Sequence, residues 1–318
     1  DEPSPGLLPE GPNIIRRVIP FPRLWTHARF AAALWAERPD VTFVPAHALP
    51  MVFPGRAVVT VHDLGYHFFP EAHPAWPRRY LEWSTPRSAH RASIVLADSA
   101  ATKHDLVEVY GIPPEKVRVV YPGVDETLYR VSDPGELARV RGKYGLPPRY
   151  LLFLGTHQPR KNIARLAQAY AASGLYEAGI GLVLAGARGW LYNPAWTAGI
   201  AGVYEPGFVD EADVAALYSA AMALVFPSLY EGFGFPVVEA MRCGTPVITS
   251  DTSSLAELAG EAALTVDPLD VAALAAAMRR VVDDAALRAR MAEMGYAQVA
   301  RFTWARAAQA ALEALERA

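Results

Sequence analysis

The chain has 318 residues, 52% of them hydrophobic and 20% charged, which is room for two folded domains and excludes a disordered or low-complexity protein. A formal net charge of −3 offers nucleic acid no basic footprint. The single cysteine, Cys243, excludes an internal disulfide and fits a reducing, cytoplasmic setting, and no apolar run is long enough to span a membrane.

In chain order, residues 1–13 are rich in Pro, Gly and acid and read as a loop, and 14–22 as short apolar pieces broken by prolines. Residues 24–35 predict an amphipathic helix turning Trp25, Phe30, Leu34 and Trp35 to a core. Val41–Val44 and Ala57–Val61 predict buried strands, followed by His47 and His62 respectively. Residues 70–76 read as a proline-punctuated loop, and 78–92 as a basic, aromatic helix limited by Pro77 and Pro86. Ile94–Ala97 and 117–120 complete four strands, with Ser99 placed to cap the helix between them. Residues 131–150, dense in Gly and Pro, read as the connection between domains. The pattern then restarts, with strands at 150–154, 182–185, 202–204, 224–226, 247–249 and 264–266, and Asn162 capping the helix after the first of them. The last helix, 304–318, has an apolar face of Trp304, Ala308, Ala311, Leu312 and Leu315. Alternation of strand and helix without hairpin signals predicts α/β architecture: two Rossmann-like, doubly wound parallel sheets facing across a cleft.

The most informative stretch is 229–246, Leu-Tyr-Glu-Gly-Phe-Gly-Phe-Pro-Val-Val-Glu-Ala-Met-Arg-Cys-Gly-Thr-Pro. Pro236 suits the start of a helix and Gly244 its left-handed stop. Glu239 is the one polar residue of the Val-Val-Glu-Ala-Met run between them and needs hydrogen-bond donors if buried. Gly232 and Gly234 before a helix N-terminus make a candidate anion seat, opened by Glu231. A lone carboxylate there would only complement the helix dipole. The second feature is Gly155-Thr156-His157-Gln158-Pro159-Arg160-Lys161-Asn162, two cations at a helix start, where a polyphosphate would convert repulsion into attraction. His47, His67, His73, His90 and His104 form no spaced cluster with Cys or carboxylates, so no metal site is expected.

Glu-x7-Glu around Gly-Phe-Gly-Phe-Pro resembles the donor site of the retaining glycosyltransferases of family 4, which have the two-domain GT-B architecture. That resemblance implies that Glu239 accepts from the ribose hydroxyls of a nucleotide. It implies that Glu231 contacts the transferred sugar, and that Gly232, Phe233, Gly234, Phe235 and Pro236 hold sugar and phosphate. It places Arg160 and Lys161 on the diphosphate beside Gly155 and Thr156, His62 at the reaction centre, and Phe208 and Val209 along the base. Thr156 stands where many members have Arg, as in a mannosyltransferase-like subgroup.

The expected assignment is therefore an acceptor-side domain at 1–140, a donor domain at 141–303, and a helix at 304–318 crossing back onto the first. The expected reaction is metal-independent, retaining transfer of a hexose, with GDP-mannose favoured as donor, to a glycan or lipid-linked acceptor. A UDP-hexose transferase, an epimerase of the same architecture and a non-catalytic nucleotide-sugar binding subunit remain the alternatives. The basic helix at 78–92 is either a solvated face or a peripheral contact with the inner membrane face. Finally, four strands in the first half lead us to expect a missing central strand beside 57–61, supplied by roughly 40–70 further residues upstream, about one or two βα units.

Overall fold

The computed structural model describes residues 11–19 and 25–318, so the expectations for 1–10 and 20–24 lie outside the described residues. Strands β1 (Val41–Val44), β2 (Arg56–Val61), β3 (Ile94–Ala97) and β4 (Val117–Val119) form a parallel sheet in that spatial order. β2 and β3 are nearly continuous buried Val, Ile, Leu and Ala, as parallel strands covered on both faces must be. The expected gap beside β2 is not there, because β1 pairs with it from Val41 opposite Arg56 to Val44 opposite Val59. Among the described residues the unpaired edges of this sheet belong to β1 and β4.

The helices of this half are α1 (Ala31–Glu37), α2 (Gly65–Phe68), α3 (Ala75–Arg91) and α4 (Ala100–Tyr110). Ser99 caps α4 as expected, accepting the Thr102 N–H at 3.0 Å. Around α1 the expected core face is half right: Leu34 is buried, but Trp25 and Trp35 are 40% and 49% exposed. The prolines do not bound α3 either. Pro77 sits in its first turn, where an amide hydrogen has no helical partner anyway, and Pro86 lies inside the helix.

The second sheet holds β5 (Tyr150–Leu154), β6 (Gly181–Ala185), β7 (Val203–Gly207), β8 (Ala223–Phe226), β9 (Val247–Ser250) and β10 (Leu264–Val266) in the order β10-β9-β8-β5-β6-β7, all parallel. The order reverses between β5 and β8, so the loops leaving these two strands open a crevice at the switch point. Around it run α5 (Pro134–Lys143), α6 (Ile163–Ser173), α7 (Glu211–Ala220), α8 (Phe235–Arg242), α9 (Ser253–Ala259), α10 (Val271–Asp283) and α11 (Ala285–Val299). Residues 131–150 are thus more than a connection: Asp133 caps α5, whose Lys143 and Arg139 pair with Asp213 on α7. The last helix, α12 (Trp304–Arg317), returns to the first sheet, where Ala314 and Ala318 pack with Val58, Ile94 and Leu96. No helix among the described residues is long and apolar enough to cross a membrane.

Candidate functional site

α8 starts and stops as its sequence dictates. Gly234, at φ 116°, makes the left-handed turn into it, with Phe235 first and Pro236 second in the helix. Gly244, at φ 67°, ends it: its N–H bonds the Met241 carbonyl, and the Thr245 N–H bonds that of Ala240. Glu239 is largely covered, and one of its oxygens accepts from the Tyr218 hydroxyl at 2.9 Å. Burial pushes its carboxyl above the ordinary value, and the Tyr218 hydrogen bond works against that rise.

The loops after β5 and β8 meet in an ion cluster. Lys161 Nζ donates to Glu231 Oε1 at 2.6 Å, and Arg160 Nη1 donates to Glu231 Oε2 at 2.9 Å and to the Tyr230 carbonyl. The side chains are only 9–11% exposed. Burial disfavours every charge here and lowers Lys161. For Glu231, Arg160 and Lys161 outweigh that burial and hold the carboxyl at about 2. Arg160 Nε is buried without a hydrogen-bond partner among the described residues. A guanidinium with a spare buried N–H, beside an ammonium, is a seat for an anionic oxygen.

Asn162 does not cap α6 with its side chain. It sits at φ 61°, and its amide donates to the carbonyls of Pro227 and Pro268 at 3.0 and 2.7 Å, tying the loop after β5 to the loops after β8 and β10. Gly155 and Thr156 flank the cluster on the same loop, Thr156 exposed. Phe208 is 73% exposed and Val209 is buried, just past the end of β7.

The first sheet meets this loop directly. A Cβ on Gly232 would lie 2.1 Å from the His62 carbonyl oxygen, so this glycine admits the backbone of the other sheet. Tyr230 donates to Asp105 at 2.6 Å and accepts the Leu64 N–H at 3.2 Å. Glu257 on α9 accepts the Ala100 and Ala101 N–H groups at the start of α4, at 3.1–3.3 Å. His62 and Phe235 face one cavity of about 460 Å³, also lined by Asp98, Leu96 and Trp304. The structure thus joins Arg160, Lys161 and Glu231 in one cluster and brings Gly232 and Phe235 to His62. Glu239 stands apart on α8, outside the ion pairs. Tyr218 and Asp98, which hold these residues, had no motif to reveal them, and Tyr230 lay within the 229–246 stretch without a role assigned to it. Among the described residues no group of three or more His, Cys, Asp and Glu gathers as a metal site.

Two facing Rossmann-like sheets with a cationic crevice between them define a GT-B glycosyltransferase. The comparisons agree. The family model described as Glycosyl transferases group 1 matches residues 138–298, and that described as Glycosyltransferase Family 4 matches 3–128. O-antigen chain mannosyltransferase B of Escherichia coli is 36% identical over 256 residues, covering 78% of this chain and 67% of that one. The serotype-specific mannosyltransferase WbdA of Escherichia coli is 30% identical over 240 residues, covering 71% of this chain but only 29% of its own length. Among solved structures, sucrose-phosphate synthase from Thermosynechococcus elongatus superposes with a TM-score of 0.72 at 26% identity, over 92% of this chain and 78% of that one. HepE of Anabaena, in complex with UDP and glucose, superposes at 0.74 and 22% identity over 94% and 84%. The chain belongs to the family 4, group 1 glycosyltransferases.

Proposed function

We propose that the chain is a retaining mannosyltransferase that takes mannose from GDP-mannose and delivers it to a hydroxyl of a glycan or lipid-linked acceptor. The observation that carries this reading is the buried Arg160–Lys161–Glu231 cluster at the switch point. It supplies cations, and a spare guanidinium N–H, where a leaving diphosphate would sit. Likeness to two mannosyltransferases supports the choice of sugar.

In this reading Glu239 takes the ribose diol, preset by Tyr218, and the base lies along Phe208 and Val209. The first glycine-loop residues, with Phe235 and Pro236, close on the sugar. Charge growing on the diphosphate is met by Arg160, Lys161 and the loop amides, a preorganised arrangement that needs no divalent metal. Glu231 keeps the two cations together before the donor binds and yields N–H donors to the phosphate. A peripheral membrane contact through α3, which shows Trp76 at 82% exposure beside Arg79, would bring a lipid-linked acceptor to the cleft.

The test is a screen of GDP-mannose, UDP-glucose and other nucleotide sugars by thermal stabilisation and calorimetry, then transfer assays with the hit. GDP-mannose should stabilise best, transfer should survive EDTA, and the product should keep the α configuration. Stabilisation by UDP-glucose alone would replace the donor. Arg160→Ala and Lys161→Ala should each lower kcat on the order of a hundredfold at saturating donor. Near-normal turnover in both variants would remove the cluster from the chemistry.

A further inference from the structure

Pro45, His62 and Asp98 are each the first residue after a strand: β1, β2 and β3. Because those strands are adjacent and parallel, with Val61 opposite Ala97, His62 and Asp98 stand side by side, and Pro45 lies two register positions back on the other side of His62. His62 Nδ1 lies 2.8 Å from Asp98 Oδ2, and its Nε2 lies 3.1 Å from the Pro45 carbonyl oxygen. Neutral imidazole has one N–H and one lone pair. A ring facing acceptors on both sides satisfies both only as the imidazolium.

We propose that Asp98 is a positioning residue of the transfer reaction: it holds His62 as a cation whose Nε2–H rests on a carbonyl and turns to an oxygen of the nucleotide sugar. The inference rests on the glycosyltransferase reading of the cleft. Asp98 is a covered partner, its side chain 14% exposed, whereas that of His62 is 48% exposed and open to a ligand. The Pro45 contact is the longer of the two and involves a neutral acceptor, so it is the one a hydroxyl of the transferred sugar displaces.

The surrounding charges favour the same state. The hydrogen bond to Asp98 raises His62 above its ordinary value against the opposing effect of burial, and Asp63 in its own loop adds to the rise. His47, after β1, lies edge-on with ring centroids 5.4 Å apart, but burial pushes it down to about 4, so it is neutral and adds little repulsion. From the second sheet the neighbours are the Gly232 backbone and the Phe235 ring across the cavity, neither of which titrates. With the cation as the working form, activity falls as pH rises through the raised value. Loss of the carboxylate moves that fall to lower pH.

The experiment uses the full chain labelled at histidine, with the His62 resonance assigned by its disappearance in His62→Gln. Wild type, Asp98→Asn and Asp98→Glu are titrated by NMR, and kcat and KM are measured against pH with GDP-mannose. His62 should titrate at lower pH in Asp98→Asn than in wild type, and the alkaline limb of kcat should move with it. At pH 8 kcat should fall by about tenfold or more, with a smaller loss at pH 6. Asp98→Glu should restore both readouts in large part. GDP affinity, set by the second domain, should be unchanged in all three and confirms that they fold. An unchanged His62 titration in Asp98→Asn, or a rate loss uniform across pH, would overturn the role of Asp98. Should no variant, wild type included, transfer sugar while His62 still shifts, the cleft reading fails and the Asp98–His62 pairing stands.

Discussion

In the second sheet β6 and β8 are buried along their whole length, and the charged groups of the site are almost wholly enclosed. In the first sheet β1 stands at an edge with Phe43 40% exposed, Met51 and Val52 beyond it are open to solvent, and the functional candidate His62 is half-exposed. One half of the cleft is set before any ligand arrives, because three charges in a low-dielectric interior hold one another in place. The other half is held by one carboxylate and a carbonyl and can adjust. A donor with a fixed diphosphate suits the first kind of wall, and acceptors of varied shape suit the second.

The contrast is most easily broken in the cores. Phe153→Ala, at a fully buried position of β5, should cost about 3–5 kcal/mol in urea unfolding, against less than about 1 kcal/mol for Phe43→Ala on the open strand. Equal losses would mean that the two sheets are equally well packed.

Next comes the ion cluster. Glu231→Gln leaves Arg160 and Lys161 buried without their carboxylate and should cost about 3 kcal/mol or more. A change below about 1 kcal/mol would show that water reaches the cations. In nucleotide binding, Glu239→Ala should weaken GDP by about 1.5–3 kcal/mol, and Tyr218→Phe by about 0.5–1.5 kcal/mol, because it removes no bond to the nucleotide, only the one that orients the carboxylate. Unaltered calorimetric affinity in Glu239→Ala would sink the ribose assignment.

The last expectation concerns pH. Glu231, held at about 2 against an ordinary 4.5, contributes stability that is complete above the ordinary value and is lost as pH falls toward 2. His62, raised, contributes stability present below 6.5 and lost as pH rises through its folded value. Acid unfolding should therefore begin around the enclosed cluster and the alkaline loss around His62, as hydrogen exchange followed against pH would show.

The strands were legible because covered parallel strands are runs of Val, Ile and Leu, and all ten lie within a few residues of where the sequence puts them. α8 was legible because Gly234, Pro236 and Gly244 each have a backbone reason to be there. What the sequence hid was lateral order. Arg160 and Glu231 are 71 residues apart and meet because β5 lies between β6, the next strand in the chain, and β8, which comes two strands later. Asp98 meets His62 because β3 lies beside β2. No spacing rule announces such neighbours. Proline misled in α3, where Pro86 is accommodated within seventeen helical residues. Exposed tryptophans misled around α1, since apolar periodicity does not say which face finds a partner.

Gly232 carries a constraint on recombination. Its missing side chain leaves room for the carbonyl of His62, so part of the glycine motif is a mating surface cut to fit one particular partner half. A hybrid made by joining this second domain to the first half of a relative would succeed only where that half presents its backbone at the same place. The choice of fusion point at residues 131–150 matters less than whether the loop after β2 is inherited together with the loop after β8.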